Sequence, residues 1–476
     1  MRRYEVVILF IVCISSRLLF SIYYTEDIDS LRFALASHDF DVLKNQPHFP
    51  GYAVFCYLSE FLLQIVGSMG ITFALIGGLS SFMITFYLIK IWRIYFKNSA
   101  LILIILSLFN PLLWLMSVRY MPDIFGLALL VMACYFFIDS YRNNCKSTLK
   151  FFGFTIGVLA GVRLSYLPFF LPLVVAIRSH RYEVLIALIY ATIASVIWFI
   201  PWLLETGLEN MYNLGLYHSN GHFNQWGGGI TSEKASFSVR LLSTVESIWA
   251  DGLGGWWIER HWSTFITSIG LLAALIASIY YCINNIHRKL SAEVRLLGAC
   301  VLCYTLWAFL FQNIVYKPRH IMPLLPFLII IFSVGLHYIK EKNKIVGYTI
   351  YSICGCTFLF TSAYLLWQHK SPSAISQVKN CLQSEITDSH VIYADGLQNY
   401  YFSKHKGLNG NYYLDFSTSI ESLENLAQEG IIIMSMRELP QANNLRLVQR
   451  QNFYHNPYVN RLWSELTLYT YIRNNE

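Results

Sequence analysis

The stretch TEDIDSLRFALASHDFDVLKNQPHFPGY, residues 25–52, follows the first apolar run of the chain. Short loops between membrane-bound segments rarely hold many ionisable groups, because each charge close to the bilayer must be solvated or paired. We therefore predict that this stretch forms the floor of an active site at a membrane surface, with Asp29 as its base. Its other ionisable candidates are Glu26, Asp27, Asp39, Asp41 and His48.

Composition places the chain among polytopic membrane proteins. Of its 476 residues, 55% are hydrophobic and 13% are charged, whereas a soluble globular protein has about 25% charged residues. The net charge of +7 does not indicate a nucleic-acid partner, because the basic residues lie in short clusters between apolar runs. Most of the ten cysteines also lie in apolar segments, so they predict neither a disulfide framework nor a cysteine metal site.

Hydropathy predicts about eleven transmembrane helices, each of about 17–25 residues. The run 151–177 is too long for one span and is interrupted by glycine, arginine and proline, so we expect two short helices with a turn near Arg163. Arg2 and Arg3 precede the first run without a small-residue cleavage site, so we expect this run to be retained as a span. Apart from the two short helices in 151–177, the predicted spans are 4–24, 71–92, 99–118, 122–139, 183–204, 262–283, 296–315, 321–339 and 345–367.

The segment 51–67 is apolar but short, and the distribution of lysine and arginine decides its position. If this segment lies on the membrane surface, most basic residues of the short loops share the side of the N-terminus; if it spans, most of them face the other side. Because cytoplasmic loops are enriched in these residues, we predict an interfacial helix and a cytoplasmic N-terminus. The first loop, 25–70, the long loop 205–261 and the C-terminal region would then all lie on the extracytoplasmic side of the plasma membrane.

The composition changes near residue 368. Three runs predict strands: HVIYAD, GIIIMSM and LWSELTLYTYIR. Between them, SIESLENLAQEG predicts a helix. We see no phosphate-binding glycine loop, metal-spaced set or nucleophile motif in this region, so we expect it to dock a partner or position an acceptor. The predicted fold is an all-α polytopic membrane module, residues 1–367, followed by a small extracytoplasmic α/β domain, residues 368–476.

Three acidic residues are candidates for catalysis. Asp27 and Asp29 both follow the first span, and either could be the base. As an alternative role, Asp29 with Ser30 could cap the helical turn LRFALASHDF. Asp123 lies just inside a helix opened by Pro122, where it is either a second catalytic carboxylate or a charge that complements the helix dipole.

Basic residues at the outer ends of two predicted spans favour a phosphate site. Lys317, Arg319 and His320 lie in YKPRHIMPLLP, on the side where basic residues should be scarce. A guanidinium binds phosphate bidentately, although these residues could also be anchors at the membrane interface. Arg163, in GVRLSYLPFFLP, is costly between two short spans unless it meets an anion or water.

Three histidines are candidates for substrate binding. His48 lies in QPHFPGY beside two prolines, where a structural role in the loop is the alternative. His218 and His222 are four residues apart in YHSNGHFNQWGGG, a spacing that could bind a metal on one helix face. The glycines of this stretch favour a flexible lid over a substrate instead.

Acids and cations gathered at one rim of the bilayer, beside apolar walls, suit transfer of a group from a lipid phosphate. A carboxylate can take the proton of an acceptor hydroxyl. Arginine and lysine can stabilise the phosphate that leaves. If the group is a sugar, a single displacement inverts its anomeric centre.

The order of these motifs resembles the GT-C superfamily of integral-membrane glycosyltransferases, above all the branches that are similar to protein O-mannosyltransferases and to lipid A aminoarabinose transferases. The resemblance covers residues 1–367. It is carried by DSLRFA at Asp29, PHFPGY at Pro47, MPDIFG around Asp123, GVRLSYLP at Gly161 and KPRHIMPLLP at Lys317.

The resemblance implies roles for several residues. Asp29 matches the catalytic acid/base centre of the first loop, although Ser30 stands where the family often has a second acid, so Asp27 stays open as the base. Asp123 matches the functional acid of the second outer loop, and Lys317, Arg319 and His320 match the contacts to the lipid phosphate. Some members bind a divalent metal, for which Asp29 and Asp123 are the candidates. The implied partners are a polyprenyl-phosphate-linked sugar donor, membrane lipids, and a glycan, lipid or protein acceptor.

A transporter or flippase of lipid-linked sugars is the second function class. Such a protein should keep polar residues near mid-membrane in broken helices, often in repeated halves. Here the ionisable residues gather on one face and the two halves of the sequence are not alike, which favours the enzyme.

The predicted topology can be tested by cysteine labelling. In a Cys145→Ala, Cys381→Ala background, we expect a membrane-impermeant maleimide to label Lys44→Cys from outside intact cells and to leave Lys146→Cys unlabelled until the cells are lysed. Labelling of both sites in intact cells, or of Lys146→Cys alone, would contradict the assignment of the interfacial helix and the cytoplasmic N-terminus.

Overall fold

A computed structural model describes residues 2–96, 99–176, 181–226, 229–231, 236–285, 291–410, 412–440, 442 and 444–474. The chain forms two compact units. The first consists of Met1–Ile22 and Leu35–Trp367, and the second of Tyr23–Ala34 and Gln368–Glu476. The sequence prediction grouped residues 23–34 with the membrane module, whereas in the structure this acidic segment packs with the C-terminal residues.

Helices build the chain up to residue 369. Short 3₁₀ turns occur at Val42–Lys44, Leu164–Phe170 and Pro318–Leu324, and π-helical turns at Gly221–Gln225 and Ser247–Gly252. The α-helices are α1 (Arg3–Leu19), α2 (Ile28–Ala36), α3 (Ala53–Val66), α4 (Met69–Tyr95), α5 (Leu101–Leu108), α6 (Pro111–Met116), α7 (Asp123–Asn143), α8 (Lys146–Val162), α9 (Leu171–Ala176), α10 (Arg181–Thr206), α11 (Leu208–Asn220), α12 (Phe237–Glu246), α13 (Ser263–Asn284), α14 (Ala292–Phe311), α15 (Leu325–Lys342) and α16 (Lys344–His369).

Among the described residues, seven helical segments are long and apolar enough to cross a membrane, by length and composition. The helices α1 and α8 have 17 residues each, at the lower limit for a span. These helices make the protein a multi-pass membrane protein, and the predicted all-α polytopic module is confirmed. The segments are Met69–Tyr95, Asp123–Asn143, Tyr182–Thr206, Ser263–Asn284, Ala292–Phe311, Pro318–Lys342 and Lys344–Glu385.

Two predictions concern irregular segments, and the structure bears on both. The run 151–177 is interrupted at Arg163, which ends α8 before the turn Leu164–Phe170 and the short helix α9; residue 177 lies outside the described part of the chain. The segment 51–67 forms α3, a helix of 14 residues. This length is too short to span a bilayer, which needs about 20 residues.

The prediction of one continuous span over residues 99–118 is wrong. The helix α5 ends at Leu108, and α6 begins at Pro111. Asn110 caps α6, since its Oδ1 accepts the Leu113 amide at 3.0 Å, and Pro111 has no amide hydrogen with which to continue α5. Hydropathy alone does not register this break because both halves are apolar.

Arg17, whose partner the sequence did not indicate, is buried at this break. Its Nη2 donates to the carbonyl of Leu108, the last residue of α5, at 3.1 Å, and its Nε donates to Ser117 Oγ at 3.1 Å. The guanidinium also lies 4.8 Å from the centre of the Trp114 ring. Because helix ends leave carbonyls without intrahelical partners, Arg17 stabilises the interruption between α5 and α6.

The second unit contains a five-stranded sheet with helices α17 (Ala374–Glu385), α18 (Gly396–Ser403) and α19 (Ile420–Gln428). The strand order is β2-β1-β3-β5-β4; β1 is parallel to β2 and β3, while β5 is antiparallel to β3 and β4. The predicted small α/β domain is therefore confirmed, including three strands and α19, whereas β2 and β4 were not predicted. The strands are β1 (His390–Ala394), β2 (Tyr412–Asp415), β3 (Ile432–Ser435), β4 (Leu445–Tyr454) and β5 (Glu465–Arg473).

Candidate active site

A buried carboxylate in the first unit organises the predicted phosphate-binding residues. Asp123 is the first residue of α7 and follows Pro122, and it is only 1% exposed. The amide dipoles at a helix start favour an anion at this place. A buried carboxylate nevertheless needs charged or hydrogen-bonding partners to remain ionised.

Two arginines from distant parts of the sequence supply such partners. Arg163 Nη2 lies 2.9 Å from Asp123 Oδ1, and Arg319 Nε lies 3.8 Å from the same oxygen. Arg163 follows the last residue of α8, and Arg319 lies in the 3₁₀ turn before α15. One carboxylate therefore fixes the ends of three helical segments and the orientation of two guanidiniums.

A glycine one turn into α7 allows this approach. A Cβ placed on Gly126 would lie 2.8 Å from Arg163 Cβ and 3.3 Å from the Tyr166 ring, which is closer than side chains tolerate. Gly126 therefore leaves the space through which Arg163 reaches Asp123.

Aromatic side chains surround the arginines. Arg163 Nη1 donates to the Tyr52 hydroxyl oxygen at 3.3 Å, and the Tyr52 oxygen lies 3.2 Å from His48 Nε2. On another side, the Tyr166 and Tyr304 rings meet edge to face at 6.0 Å. The sequence prediction named Arg163 and His48 but assigned no role to the tyrosine that connects them, although Tyr52 ends the quoted acidic stretch.

His320 is buried in the 3₁₀ turn Pro318–Leu324, directly after Arg319. Four basic side chains are close enough to His320 to act on it electrostatically: those of Arg163, Lys317, Arg319 and His222. Arg163 and Arg319 meet at Asp123, while Lys317, Arg319 and His320 lie within residues 317–320 at the turn before α15. His222 acts on His320 electrostatically. The ring of His222 is itself held, because its Nε2 donates to the Phe311 carbonyl at 2.8 Å.

His218 lies among aromatic rings. Its ring stacks on Phe49 at 5.9 Å, lies 6.5 Å from the His48 ring, and meets the Trp226 ring at 5.1 Å. The structure thus brings together His218 and His48, two of the three histidines predicted to contact substrate.

The predicted flexible loop that carries these histidines is helical over much of its length. The helix α11 contains His218 and continues into the π-helical turn Gly221–Gln225, which contains His222. The leucine, methionine and glutamate residues of LENMYNLGLYHSN favour this helix despite the glycine within it, and residues 227 and 228 lie outside the described part of the chain.

Asp27 and Asp29 lie in the second unit, where their surroundings differ. Asp27 caps α2: its Oδ1 accepts the Ser30 amide at 2.8 Å, and its carbonyl accepts the Leu31 amide at 3.0 Å. Asp29 lies in the first turn of α2, with its Oδ1 3.9 Å from Arg32 Nη1. The capping role considered for Asp29 is therefore wrong, because it belongs to the aspartate two residues earlier.

The sequence indicated no partner for Glu26, which is completely buried. Glu26 Oε2 lies 2.5 Å from His369 Nε2, and His369 is the last residue of α16. These two side chains are 343 positions apart in the chain. A histidine at the end of an apolar helix was the only available signal, and it does not by itself indicate an acidic partner.

Neither metal candidate lies in a metal-binding set. No group of three or more histidine, cysteine, aspartate or glutamate side chains that could hold a metal occurs among the residues described. The Asp123 carboxylate faces two guanidiniums, which would repel a divalent cation. Asp123 therefore does not fit the divalent metal that the resemblance left open, and we derive no catalytic step through one.

Comparison with solved structures assigns the fold. A crystal structure of ArnT from Cupriavidus metallidurans bound to undecaprenyl phosphate matches 98% of this chain and 97% of its own, with a TM-score of 0.59 and 10% sequence identity. The apo structure of the same protein matches 98% of both chains, with a TM-score of 0.58 and 11% identity. The chain has the GT-C fold. No protein-family model matches the sequence, and neither does any curated protein.

This likeness confirms the predicted GT-C architecture and extends it. The sequence resemblance covered residues 1–367, whereas the structural match covers 98% of the chain and so includes C-terminal residues as well. At 10–11% identity the fold is conserved beyond the reach of sequence comparison, because helix packing depends on apolar patterning and side-chain volume more than on residue identity.

A double-mutant cycle tests the Asp123–Arg163 pair. We expect Asp123→Asn to lower the thermal unfolding temperature of the protein in detergent, because breaking a buried pair costs about 3–5 kcal/mol. Asp123→Asn combined with Arg163→Gln should recover part of the loss, since the second change removes the unpaired guanidinium. Strictly additive losses would show that the two side chains do not interact.

Proposed function

We propose that the protein is an inverting glycosyltransferase that moves a sugar from a polyprenyl-phosphate carrier to an acceptor hydroxyl on the extracytoplasmic side of the membrane. The observation that carries this proposal is the fold match over nearly the whole chain to ArnT bound to undecaprenyl phosphate. The meeting of Arg163 and Arg319 at Asp123, with Lys317 directly before the turn that holds Arg319, supports it, because these residues supply cations for a lipid phosphate.

Asp29 is the proposed base. Both carboxylate oxygens of Asp27 are engaged, Oδ1 by the Ser30 amide and Oδ2 by Asn460 Nδ2 at 3.4 Å. Because capping gives Asp27 a structural role, we assign the base to Asp29, which lies in the first turn of α2. A position near a helix start favours the anionic form of a carboxylate, which a proton acceptor requires.

The proposed reaction is a single displacement. The acceptor oxygen forms a bond to the anomeric carbon while its proton passes to the Asp29 carboxylate. The bond between the anomeric carbon and the phosphate oxygen breaks, and the polyprenyl phosphate leaves with the electron pair. One displacement at the anomeric carbon inverts its configuration.

The cations of the first unit are proposed to bind the phosphate of the donor. Arg319 is the main candidate, because it lies in the turn Pro318–Leu324, with Lys317 directly before this turn and His320 within it. Arg163, whose Nη2 lies 2.9 Å from Asp123 Oδ1, positions the cluster. Asp123, predicted as a second catalytic carboxylate, is proposed here as a positioning residue for both guanidiniums.

The histidines are proposed to line the path of the substrates. His48 is linked to Arg163 through Tyr52, and His218 lies beside His48. His222 is joined electrostatically to His320. The acceptor is a glycan, a lipid or a protein, and mass spectrometry of surface glycans from cells with and without the gene would identify both the sugar and its acceptor.

Removing the proposed base should stop the reaction. We expect Asp29→Asn to lower turnover by about 10²–10⁴-fold, the usual contribution of general base catalysis, with little change in thermal stability. Asp39→Asn is the matched control, because Asp39 lies in the same loop and forms an exposed pair with Lys44. Wild-type turnover in Asp29→Asn would remove the base assignment, and movement of the donor across vesicles without sugar transfer would favour a flippase.

Neutralising the proposed phosphate ligand should weaken donor use. We expect Arg319→Gln to raise KM for the polyprenyl-phosphate donor by about tenfold or more, since a charged hydrogen bond contributes about 1.5–3 kcal/mol, and to leave KM for the acceptor near wild type. Arg260→Gln is the control, because Arg260 is also a buried arginine in a pair with an aspartate, 2.6 Å from Asp251. Equal effects of the two substitutions on donor KM would contradict the assignment.

A further inference from the structure

Four consecutive residues immediately before α2 are each bonded by a residue of the C-terminal region. The Tyr24 hydroxyl donates to the His369 carbonyl at 2.7 Å. Glu26 Oε2 lies 2.5 Å from His369 Nε2. One residue at the end of α16 therefore holds two side chains of the first loop.

Thr25 is held by α18 and by a histidine that follows this helix. The Tyr401 hydroxyl donates to the Thr25 carbonyl at 2.6 Å. His405 Nδ1 donates to the Tyr401 carbonyl at 2.8 Å, and its Nε2 lies 3.1 Å from Thr25 Oγ1. Burial lowers the pKa of His405 to about 4, so the ring is neutral at physiological pH and its Nε2 accepts the Thr25 hydroxyl hydrogen.

Asn460 contacts the last two of these four residues, Glu26 and Asp27. Its Nδ2 lies 3.4 Å from the Glu26 carbonyl and 3.4 Å from Asp27 Oδ2. Asp27 in turn caps α2, and Ser30 Oγ accepts the amides of Glu26 and Asp27 at 2.8 and 2.9 Å. Asp27 is thus bonded both to Asn460 of the C-terminal region and to the first turn of α2, which contains Asp29.

We propose that the C-terminal α/β domain acts as the positioning element for the base, because it fixes residues 24–27 and thereby the orientation of Asp29. The inference rests on the proposed function, and it gives the domain a part in the chemical step rather than only in docking an acceptor. Reacting groups displaced by about 1 Å can lose about 10²-fold in rate, so loosened contacts should act on turnover. We refer to the four C-terminal residues that make these contacts as the tether: His369, Tyr401, His405 and Asn460.

The test uses the full-length protein with small side-chain changes in the tether and in its partner. Tyr401→Phe removes the hydroxyl that binds Thr25 and keeps the ring, and Thr25→Val removes the threonine hydroxyl while conserving shape. Tyr413→Phe is the matched control, because it removes a hydroxyl that donates to the Leu408 carbonyl at 2.6 Å within the same domain. All variants are assayed for kcat, for KM of donor and acceptor, and for thermal stability.

We expect Tyr401→Phe, alone and with Asn460→Ala, to lower kcat by about tenfold or more with both KM values within about twofold of wild type. Hydrogen exchange at the Leu31 amide, which reports the first turn of α2, should become faster in the same variants. Tyr413→Phe should change neither measurement. Thr25→Val, which removes the hydroxyl that contacts His405 Nε2, should change kcat and exchange in the same direction, and it replaces the Tyr401 variant if that variant is too unstable to assay.

Two results would overturn the inference: faster exchange at Leu31 with unchanged kcat, or equal losses of kcat in Tyr401→Phe and Tyr413→Phe. Failure of the proposed function is a different outcome, recognised by wild-type turnover in Asp29→Asn. The exchange measurement does not depend on activity. It therefore tests whether the tether holds the first turn of α2 in place, independently of whether Asp29 is the base.

Discussion

The carboxylate of Asp123 is buried at the start of α7, and ionisation in such a place depends on neighbouring positive charge. Arg163 and Arg319 provide that charge from two other helical segments. The need to satisfy a single anion therefore fixes three segments of the first unit relative to one another. Arg163 also donates to the Tyr52 hydroxyl at the end of the acidic stretch. The pairing with Asp123 therefore positions both the ends of these three segments and the two guanidiniums.

Apolar patterning predicted most of the helices, because in a membrane protein the length and hydropathy of a run are nearly sufficient to define a span. It failed at Asn110–Pro111, where a cap and a proline interrupt an apolar run. Short apolar or alternating runs predicted β1, β3 and β5 of the C-terminal domain, which are the three inner strands of the sheet. The edge strand β4 was not predicted, because its residues from Arg446 to Arg450 are all exposed and show no alternation of apolar and polar side chains.

The sequence indicated which residues are candidates for the site, but not which side chains contact one another. Unusual basic residues at the predicted outer ends of spans indicated Arg163, Lys317, Arg319 and His320, and the structure brings Arg163 and Arg319 together at Asp123. It was not predictable that Asp123 would be a shared partner of the two arginines, or that Asp27 would cap α2 and leave Asp29 in the first turn. Contacts such as Glu26–His369 join residues 343 positions apart, and no local pattern encodes a partner at that distance.

Arg17 has a consequence for the way the chain enters the bilayer. Its acceptors, the Leu108 carbonyl and Ser117 Oγ, lie 91 and 100 positions further along the chain. When the ribosome has completed α1, those acceptors have not been synthesised, and a lone guanidinium in the hydrocarbon costs several kcal/mol. The buried contacts of Arg17 can therefore form only after α5 and α6 have been synthesised, so the packing of α1 against this break is a late step of assembly.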